Sequence, residues 1–206
     1  MIGRLAAVFR EQGVRGTWFG ALAWARVYRR LELVELPLHR LPPLAPAAAT
    51  LRFGFLTPAE LDALGALDAG PGTAEAGRRL ERGDRCFVAR DGLEIVSSRW
   101  VASGRAHIVY LDLSLDLTAG DAYVYETHTR PERRGEGVSA AAGTRLAHAM
   151  ADEGYRRLVA AVLRENHRGT RAYQKAGYRR IGRIGYVRLG PWRQDFRHTT
   201  RDGTGA

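Results

Sequence analysis

Hydrophobic and polar positions alternate along the chain with two different periods, which predict where helices and strands lie. Residues 1–31 have helical spacing, which gathers apolar side chains on two faces. One face holds Ile2, Leu5, Ala6 and Phe9, and the second holds Leu22, Ala25 and residues 27–31. Prolines then interrupt residues 37–46, and a proline removes a backbone donor and disfavours helix in the residue before it. We therefore predict that residues 1–48 form a helical, basic N-terminal extension and a proline-rich linker.

Residues 49–190 show a regular succession of strand and helix patterns. The strongest is a hairpin, in which two alternating stretches, residues 86–90 and 93–102, flank an Asp91-Gly92 turn. Other strands are predicted at residues 50–56, 107–117, 122–129 and 158–163, with a last strand pair around 178–189, and helices from Thr57 to near Gly70 and at residues 73–82, 139–153 and 167–176. This order predicts an α+β fold, an α/β three-layer arrangement on a mixed sheet, followed by a C-terminal tail at residues 191–206.

A glycine-containing turn joins the strand at residues 122–129 to the next helix. It includes Arg134-Gly135-Glu136-Gly137-Val138-Ser139. Glycines leave backbone amides open to a ligand, and a helix N-terminus adds unpaired amides and the positive end of its dipole, so the turn suits a phosphate group. The spacing fits neither the P-loop nor the dinucleotide-binding pattern, which argues against nucleotide triphosphatases and dehydrogenases. Taken alone, the turn also fits a simple helix cap.

Two motifs together resemble the GNAT superfamily of N-acyltransferases. The turn resembles the acyl-CoA signature Gln/Arg-x-x-Gly-x-Gly/Ala, with Ser139 in the last position. The stretch from residue 162 to Tyr178 resembles a second signature, in which Asn166 ends a strand, Tyr173 follows on a helix and an aromatic residue starts the next strand. The resemblance covers residues 50–189 and implies a mostly antiparallel sheet of about six to seven strands flanked by helices.

The resemblance also implies where acetyl-CoA, or another acyl-CoA, binds as co-substrate. The pantetheine arm would lie where the strands around residues 123–129 and 158–163 separate, and the pyrophosphate would lie on the amides of the turn. The implied binding residues are Thr127, Thr129, Arg133, Arg134, Gly135, Glu136, Gly137, Val138, Ser139 and Asn166. Asn166 also fits a simple helix cap.

The chemistry implied is direct attack of an amine on the thioester in a ternary complex. An amine is largely protonated at neutral pH, so a carboxylate or a histidine must accept its proton. Glu126 and His128 lie two residues apart on one predicted strand, hence on one face, and are both candidates, with Asp121 and a chain of water molecules as further alternatives. Tyr173 matches the family position that protonates the departing thiolate. A salt bridge to an arginine for Glu126, and a core-packing role for Tyr173, stay open as alternatives.

Composition narrows the classes of protein that remain. The chain has 206 residues, of which 45% are hydrophobic and 26% charged, which predicts one globular domain and excludes collagen-like and wholly disordered proteins. Cys86 is the only cysteine. A single thiol excludes disulfide scaffolds and cysteine metal clusters, and it predicts a reducing, cytoplasmic location. The histidines show no metal-binding spacing, so no metal is expected.

Charge bears on the partners. The formal net charge is +10, but Lys175 is the only lysine among 32 cationic residues, and such a preference for arginine can follow from coding bias. Nucleic-acid binding is therefore not predicted. The basic residues 1–31 fit either an anionic membrane surface or packing on the domain or across a homodimer. The expected acceptor is an amine on a small molecule or peptide. The alternative function is a non-catalytic GNAT-like binding or scaffold protein attached through these helices.

Overall fold

A computed structural model describes residues 27–67 and 72–199 of the chain. Within them the strands are β1 Tyr28–Pro37, β2 Leu51–Phe55, β3 Arg85–Asp91, β4 Glu94–Ser103, β5 Arg105–Ile108, β6 Leu113–Asp116, β7 Asp121–Thr129, β8 Arg157–Leu163, β9 Arg179–Leu189 and β10 Trp192–Thr199. The helices are α1 Leu61–Gly65, α2 Thr73–Glu81, α3 Val138–Asp152 and α4 His167–Lys175, with single 3-10 turns at Pro58–Glu60 and Pro131–Arg133.

Eight strands form one sheet in the order β10-β9-β1-β8-β7-β4-β3-β2, and β5 pairs with β6 in a separate hairpin. Neighbouring strands of the main sheet are antiparallel except β7 and β8, which are parallel. The predicted α+β class with a mixed, mostly antiparallel sheet is confirmed. The main sheet, however, has eight strands rather than six or seven.

Helices cover both faces of the sheet and bury its core. On one face, here the α1–α2 face, Leu64 of α1 and Ala76 of α2 pack on Trp100, and the β5–β6 hairpin extends this layer. On the other, the α3–α4 face, Leu146 of α3 packs on Val124 of β7, and α4 lies over β8. None of the helices within the described ranges is long and apolar enough to cross a membrane.

The helix predicted to reach Leu31 is wrong in the part that the structure describes. Residues 28–31, predicted as helix, belong to β1, which lies in the middle of the sheet between β8 and β9. Leu31 and Leu33 pack into one core layer while Val34 packs into the other. A strand buried on both faces loses the simple alternation of apolar and polar residues, so its pattern is easily mistaken for a helix. The helix predicted within residues 1–26 lies outside the described residues.

The proline-rich linker is an ordered segment that lies along α3. The Ala45 amide donates to Thr144 Oγ1 at 3.0 Å, and Arg145 donates to the Ala45 carbonyl at 2.9 Å. A ring nitrogen of His148 lies 2.9 Å from the Pro42 carbonyl oxygen. These bonds hold the segment along the middle of α3, and its Pro46 carbonyl lies beside Gly137 of the glycine-containing turn.

Three further expectations are corrected. Residues 107–117, predicted as one strand, form part of the β5–β6 hairpin with a turn between the two strands. The helix expected to reach Gly70 ends at Gly65. The strand pair expected around 178–189 is one strand, β9, because Gly185 is not a turn residue: a Cβ there would collide with the Arg29 carbonyl of β1. The partner of β9 is β10, within residues assigned to the C-terminal tail.

Candidate active site

β7 and β8 separate halfway along their length and open a cleft in the sheet. Their parallel pairing runs from Asp121 opposite Arg157 to Val124 opposite Ala160. Both strands then continue, β7 beside β4 and β8 beside β1. Over this stretch their facing edges pair with no other strand of the described residues, so backbone amides and carbonyls are available to an extended ligand.

A β-bulge in β7 accompanies the separation. The register with β4 shifts between Ser98 and Trp100, so Glu126 and Thr127 both lie opposite the single residue Arg99. Glu126 has a φ of 43°, a left-handed conformation that is strained for a residue with a side chain. Bulges of this kind re-aim side chains and concentrate next to active sites. The residue types in β7 carry no signal that predicts this bulge.

Glu126 forms a bidentate ion pair with Arg79 on the α1–α2 face. Arg79 Nη1 and Nη2 lie 2.6 and 2.9 Å from the carboxylate oxygens of Glu126. The buried Arg79 guanidinium also lies over the rings of Trp100 and Tyr125, at 5.1 and 5.4 Å from their centroids. Burial alone would lower the pKa of Arg79, but the hydrogen bonds to Glu126 and Glu75 raise it above its usual value. The sequence left two interpretations of Glu126 open, a general base and a salt bridge to an arginine, and the structure shows the salt bridge.

His128 lies further along β7, opposite Ser98 of β4. Paired residues of neighbouring strands project to the same side, so His128 shares the α1–α2 face with Trp100, as the alternation predicted for it and Glu126. Its backbone carbonyl accepts a hydrogen bond from Ser97 Oγ at 2.7 Å. Ser98 Oγ and Trp100 Nε1 are buried on this side without a hydrogen-bond partner among the described residues, so they can bind polar atoms of a ligand or water.

Tyr173 approaches the cleft from the opposite, α3–α4 face. Its ring packs against Val162 and, at 4.9 Å between centroids, against the ring of Tyr178. Its hydroxyl hydrogen-bonds with the side chain of Thr127 on the bulge. Burial raises the pKa of Tyr173, while the charge of Arg99 and the bond with Thr127 act in the opposite direction. Tyr173 is therefore a neutral phenol at neutral pH. It packs in the core and hydrogen-bonds to the open half of β7, residues 125–129, which does not pair with β8.

The glycine-containing turn forms an open helix N-terminus at the same edge. Gly135 and Gly137 have φ values of 88° and 77°, which residues with side chains rarely adopt. Gly137 is the N-cap of α3, and no side chain caps the helix there. A Cβ on Gly137 would meet only the Pro46 carbonyl, at 3.9 Å. Exposed amides and the helix dipole thus face open space, an arrangement that fits a pyrophosphate.

The two arginines of the turn have different environments. Arg133 is held by internal ion pairs, with Nη1 2.6 Å from Asp91 and Nε 2.8 Å from Glu136. Arg134 is exposed, and its Nε donates to the Thr129 carbonyl at 3.3 Å. Arg133 and Glu136 therefore brace the turn, whereas the charge of Arg134 is accessible to a ligand.

Asn166 caps α4. Its Oδ1 accepts a hydrogen bond from the Gly169 amide at 2.8 Å, the helix-cap interpretation of this residue. A Cβ on Gly169 would lie 2.6 Å from Asn166 Nδ2, so the glycine leaves room for the cap. The cap fixes the start of the helix that carries Tyr173.

Sequence analysis did not include Arg79 or Arg99 among the candidate site residues. Both are buried arginines whose side chains contact the cleft elements from opposite faces of the sheet. Because arginine is so abundant in the chain, no spacing singles out either residue. The bulge puts Arg99 opposite Glu126 and Thr127, and the hydrogen bonds to Glu126 bring Arg79 to the same strand.

Comparison with known proteins points to one family. The family model described as the acetyltransferase (GNAT) family matches residues 59–178. Similar solved structures include a GCN5-related N-acetyltransferase from Sphaerobacter thermophilus, with a TM-score of 0.56 and 18% identity over 89% of this chain and 57% of that one. A glucosamine N-acetyltransferase region of a fungal multi-domain β-N-acetylglucosaminidase has a TM-score of 0.56 and 14% identity, over 91% of this chain and 23% of that one.

A further similar structure is a GNAT-family protein from Novosphingobium aromaticivorans, with a TM-score of 0.52 and 16% identity over 75% of this chain and 62% of that one. At these identities the likeness shows a shared fold. This chain spans less than two thirds of the length of each of the three. No curated protein matches it.

Proposed function

This chain belongs to the acetyltransferase (GNAT) family, and on that premise we propose that it is an N-acyltransferase that moves an acyl group, acetyl first of all, from acyl-CoA to an amine. The family and the enzyme class predicted from the sequence are thereby confirmed. The single observation that carries the proposal is the open half of β7, which leads directly into the uncapped N-terminus of α3.

The acyl-CoA lies along this edge. Its pantetheine arm pairs with the backbone between Thr127 and Thr129, on the same edge of β7 that pairs with β8 over residues 121–124. Its pyrophosphate takes the amides of residues 134–139, and the exposed Arg134 adds a charge-assisted contact. Support comes from the two positive-φ glycines, which leave the approach to these amides free of side chains.

The acyl transfer proceeds by direct attack. The amine nitrogen forms a bond to the thioester carbon, a backbone amide of β7 stabilises the oxyanion, and the carbon–sulfur bond breaks. Tyr173 gives its hydroxyl proton to the departing sulfur, since its phenol is neutral and bonded to Thr127 at the cleft.

The proton of the attacking amine goes to His128, directly or through water. Glu126 is not the base we propose, because both of its carboxylate oxygens are already hydrogen-bonded to Arg79. Glu126 instead holds Arg79 against the bulge. The acceptor amine, on a small molecule or a peptide, enters over the α1–α2 face, where the side chains of Glu126 and His128 lie.

Two glycine variants test where CoA binds. Gly137→Val places a branched side chain over the amides, and Gly154→Val introduces the same change at a similar φ of 85° in the loop after α3. Both variants lose stability from backbone strain. Saturating CoA at about 100 times its Kd should stabilise the wild type and Gly154→Val by ~2.7 kcal/mol in thermal unfolding, and Gly137→Val not at all. Equal shifts in both variants, or none in the wild type at millimolar CoA, contradict the proposal.

A further inference from the structure

Arg99 is a buried cation with no carboxylate partner in the described part of the chain. Its side chain and backbone together are only 8% exposed. Its Nη2 donates to the Ser139 carbonyl at 2.6 Å and lies 3.3 Å from Ser139 Oγ. Its Nε is buried with no hydrogen-bond partner. The contrast is Arg79 on the other face of the sheet, which is equally buried but bonded to Glu126 and Glu75.

A glycine in α3 leaves the space that the Arg99 guanidinium occupies. Gly143 lies in the interior of α3, where glycine weakens a helix relative to alanine. A Cβ at Gly143 would lie 2.8 Å from Arg99 Nη1, so any other residue would displace the guanidinium. A buried charge without a counter-ion is itself destabilising. Two unfavourable choices thus coincide at one point of the cleft, which indicates a functional rather than a structural role.

The groups that face Arg99 are neutral. From α3 they are the Ser139 carbonyl and hydroxyl, and from α4 and the residue before β9 they are the phenols of Tyr173 and Tyr178. Burial lowers the pKa of Arg99, yet a guanidinium stays protonated in proteins. The positive charge therefore lies uncompensated between α3 and α4, where β7 and β8 separate, until an anion arrives.

We propose that Arg99 stabilises the negative charge that develops on the sulfur of CoA when the thioester breaks. The inference rests on the proposed function, which brings this sulfur to Tyr173. As the nitrogen–carbon bond forms, the electron pair of the carbon–sulfur bond passes to sulfur, and the proton of Tyr173 then neutralises it. The same positive charge stabilises the phenolate that Tyr173 becomes until it regains a proton from water.

The test compares two ligands that differ only at sulfur. CoA has an ionisable thiol and acetyl-CoA does not, so the ratio of their Kd values reports the charge on sulfur, while the phosphates cancel. In the wild type, calorimetric titration from pH 6 to pH 9 should show CoA gaining affinity over acetyl-CoA by about tenfold, equivalent to one unit of thiol pKa. In Arg99→Met this gain should disappear, and in Arg99→Lys part of it should return.

Arg145→Met is the matched control, because Arg145, like Arg99, donates to a backbone carbonyl, but its guanidinium lies on the linker at Ala45 and over the ring of Phe53. It should keep the pH-dependent gain. If Arg99→Met does not fold, Gly143→Ala displaces the same guanidinium and should also abolish the gain. A gain that is absent in the wild type, or that persists in both variants, overturns the inference. If neither ligand binds the wild type, the proposed function itself fails.

Discussion

The two halves of β7 differ in their backbone pairing and in the ion pairs around them. In the closed half, residues 121–124 pair with β8, and Arg157 binds Asp121 at 2.8 and 2.7 Å and Glu35 of β1 at 2.8 Å. In the open half, residues 125–129 pair with no strand of the described residues on that side, a bulge strains Glu126, and Arg99 has no carboxylate partner within the same residues. Glu126 is paired with Arg79, so Arg99 is the charge that distinguishes the open half from the closed one.

One strand therefore serves two purposes. The closed half is stabilised by backbone pairing and by an ion network that joins three neighbouring strands. The open half lacks that pairing on its cleft side within the described residues, and its free amides and the cation Arg99 gain partners when a ligand binds. Substitutions in the closed half should therefore change stability, and those in the open half should change ligand binding or turnover.

The largest effect is expected in the closed half. Arg157→Met leaves Asp121 and Glu35, whose side chains are 5% and 6% exposed, without their shared cation. Arg179 still bonds Glu35. Urea denaturation should show a loss of about 3–5 kcal/mol, the usual result of breaking a buried pair.

Arg105→Met is the control for this loss, because Arg105 pairs with Asp116 on the surface at 3.5 Å with both side chains largely exposed. Its free energy of unfolding should change by less than about 1 kcal/mol. Equal losses in the two variants would contradict the structural role of the buried network. The folded fraction of Arg157→Met should bind CoA as the wild type does.

The next effect is on turnover in the open half. Tyr173→Phe keeps the ring against Val162 and Tyr178 and removes only the hydroxyl. Turnover with acetyl-CoA and a panel of amines should fall about 10²-fold, because the sulfur loses its proton donor. The lost hydrogen bond with Thr127 should change the free energy of unfolding by only about 1 kcal/mol. Turnover equal to wild type would assign Tyr173 to packing alone.

The smallest effect separates the two base candidates. His128→Asn should slow turnover roughly tenfold at neutral pH, a partial loss because water can take over the proton. Glu126→Gln keeps an oxygen for Arg79 and should retain most of the turnover. The reverse order, with Glu126→Gln the slower variant, would show that the ion-paired carboxylate is the base.

Local motifs in the sequence predicted the parts of the site that depend on neighbouring residues. Gly135 and Gly137 are readable as a turn before a helix because glycine alone tolerates their positive φ. Asn166 and Tyr173 could be singled out because they match the second GNAT signature, and the structure places them at the N-cap and within one short helix, α4. The assignment of these residues to acyl-CoA remains a prediction.

Long-range arrangements could not be predicted in this way. β1 lies between strands that come more than a hundred residues later, and its burial on both faces hid its strand pattern. The bulge at Glu126 follows from pairing with β4 and not from any residue type in β7. Arg157 has two carboxylate partners and Arg99 has none among the described residues, because different strands lie beside them. With so many arginines in the chain, the sequence alone does not show which of them are paired.

Amide hydrogen exchange measured by NMR, with and without acetyl-CoA, tests most directly the claim that the open half of β7 and the start of α3 form the acyl-CoA site. Saturating acetyl-CoA should slow exchange at Thr127 and Thr129 and at residues 138–140, and leave Asp121 to Val124 unchanged. Exchange that is unaltered in the open half, or slowed only in the closed half, would contradict the account.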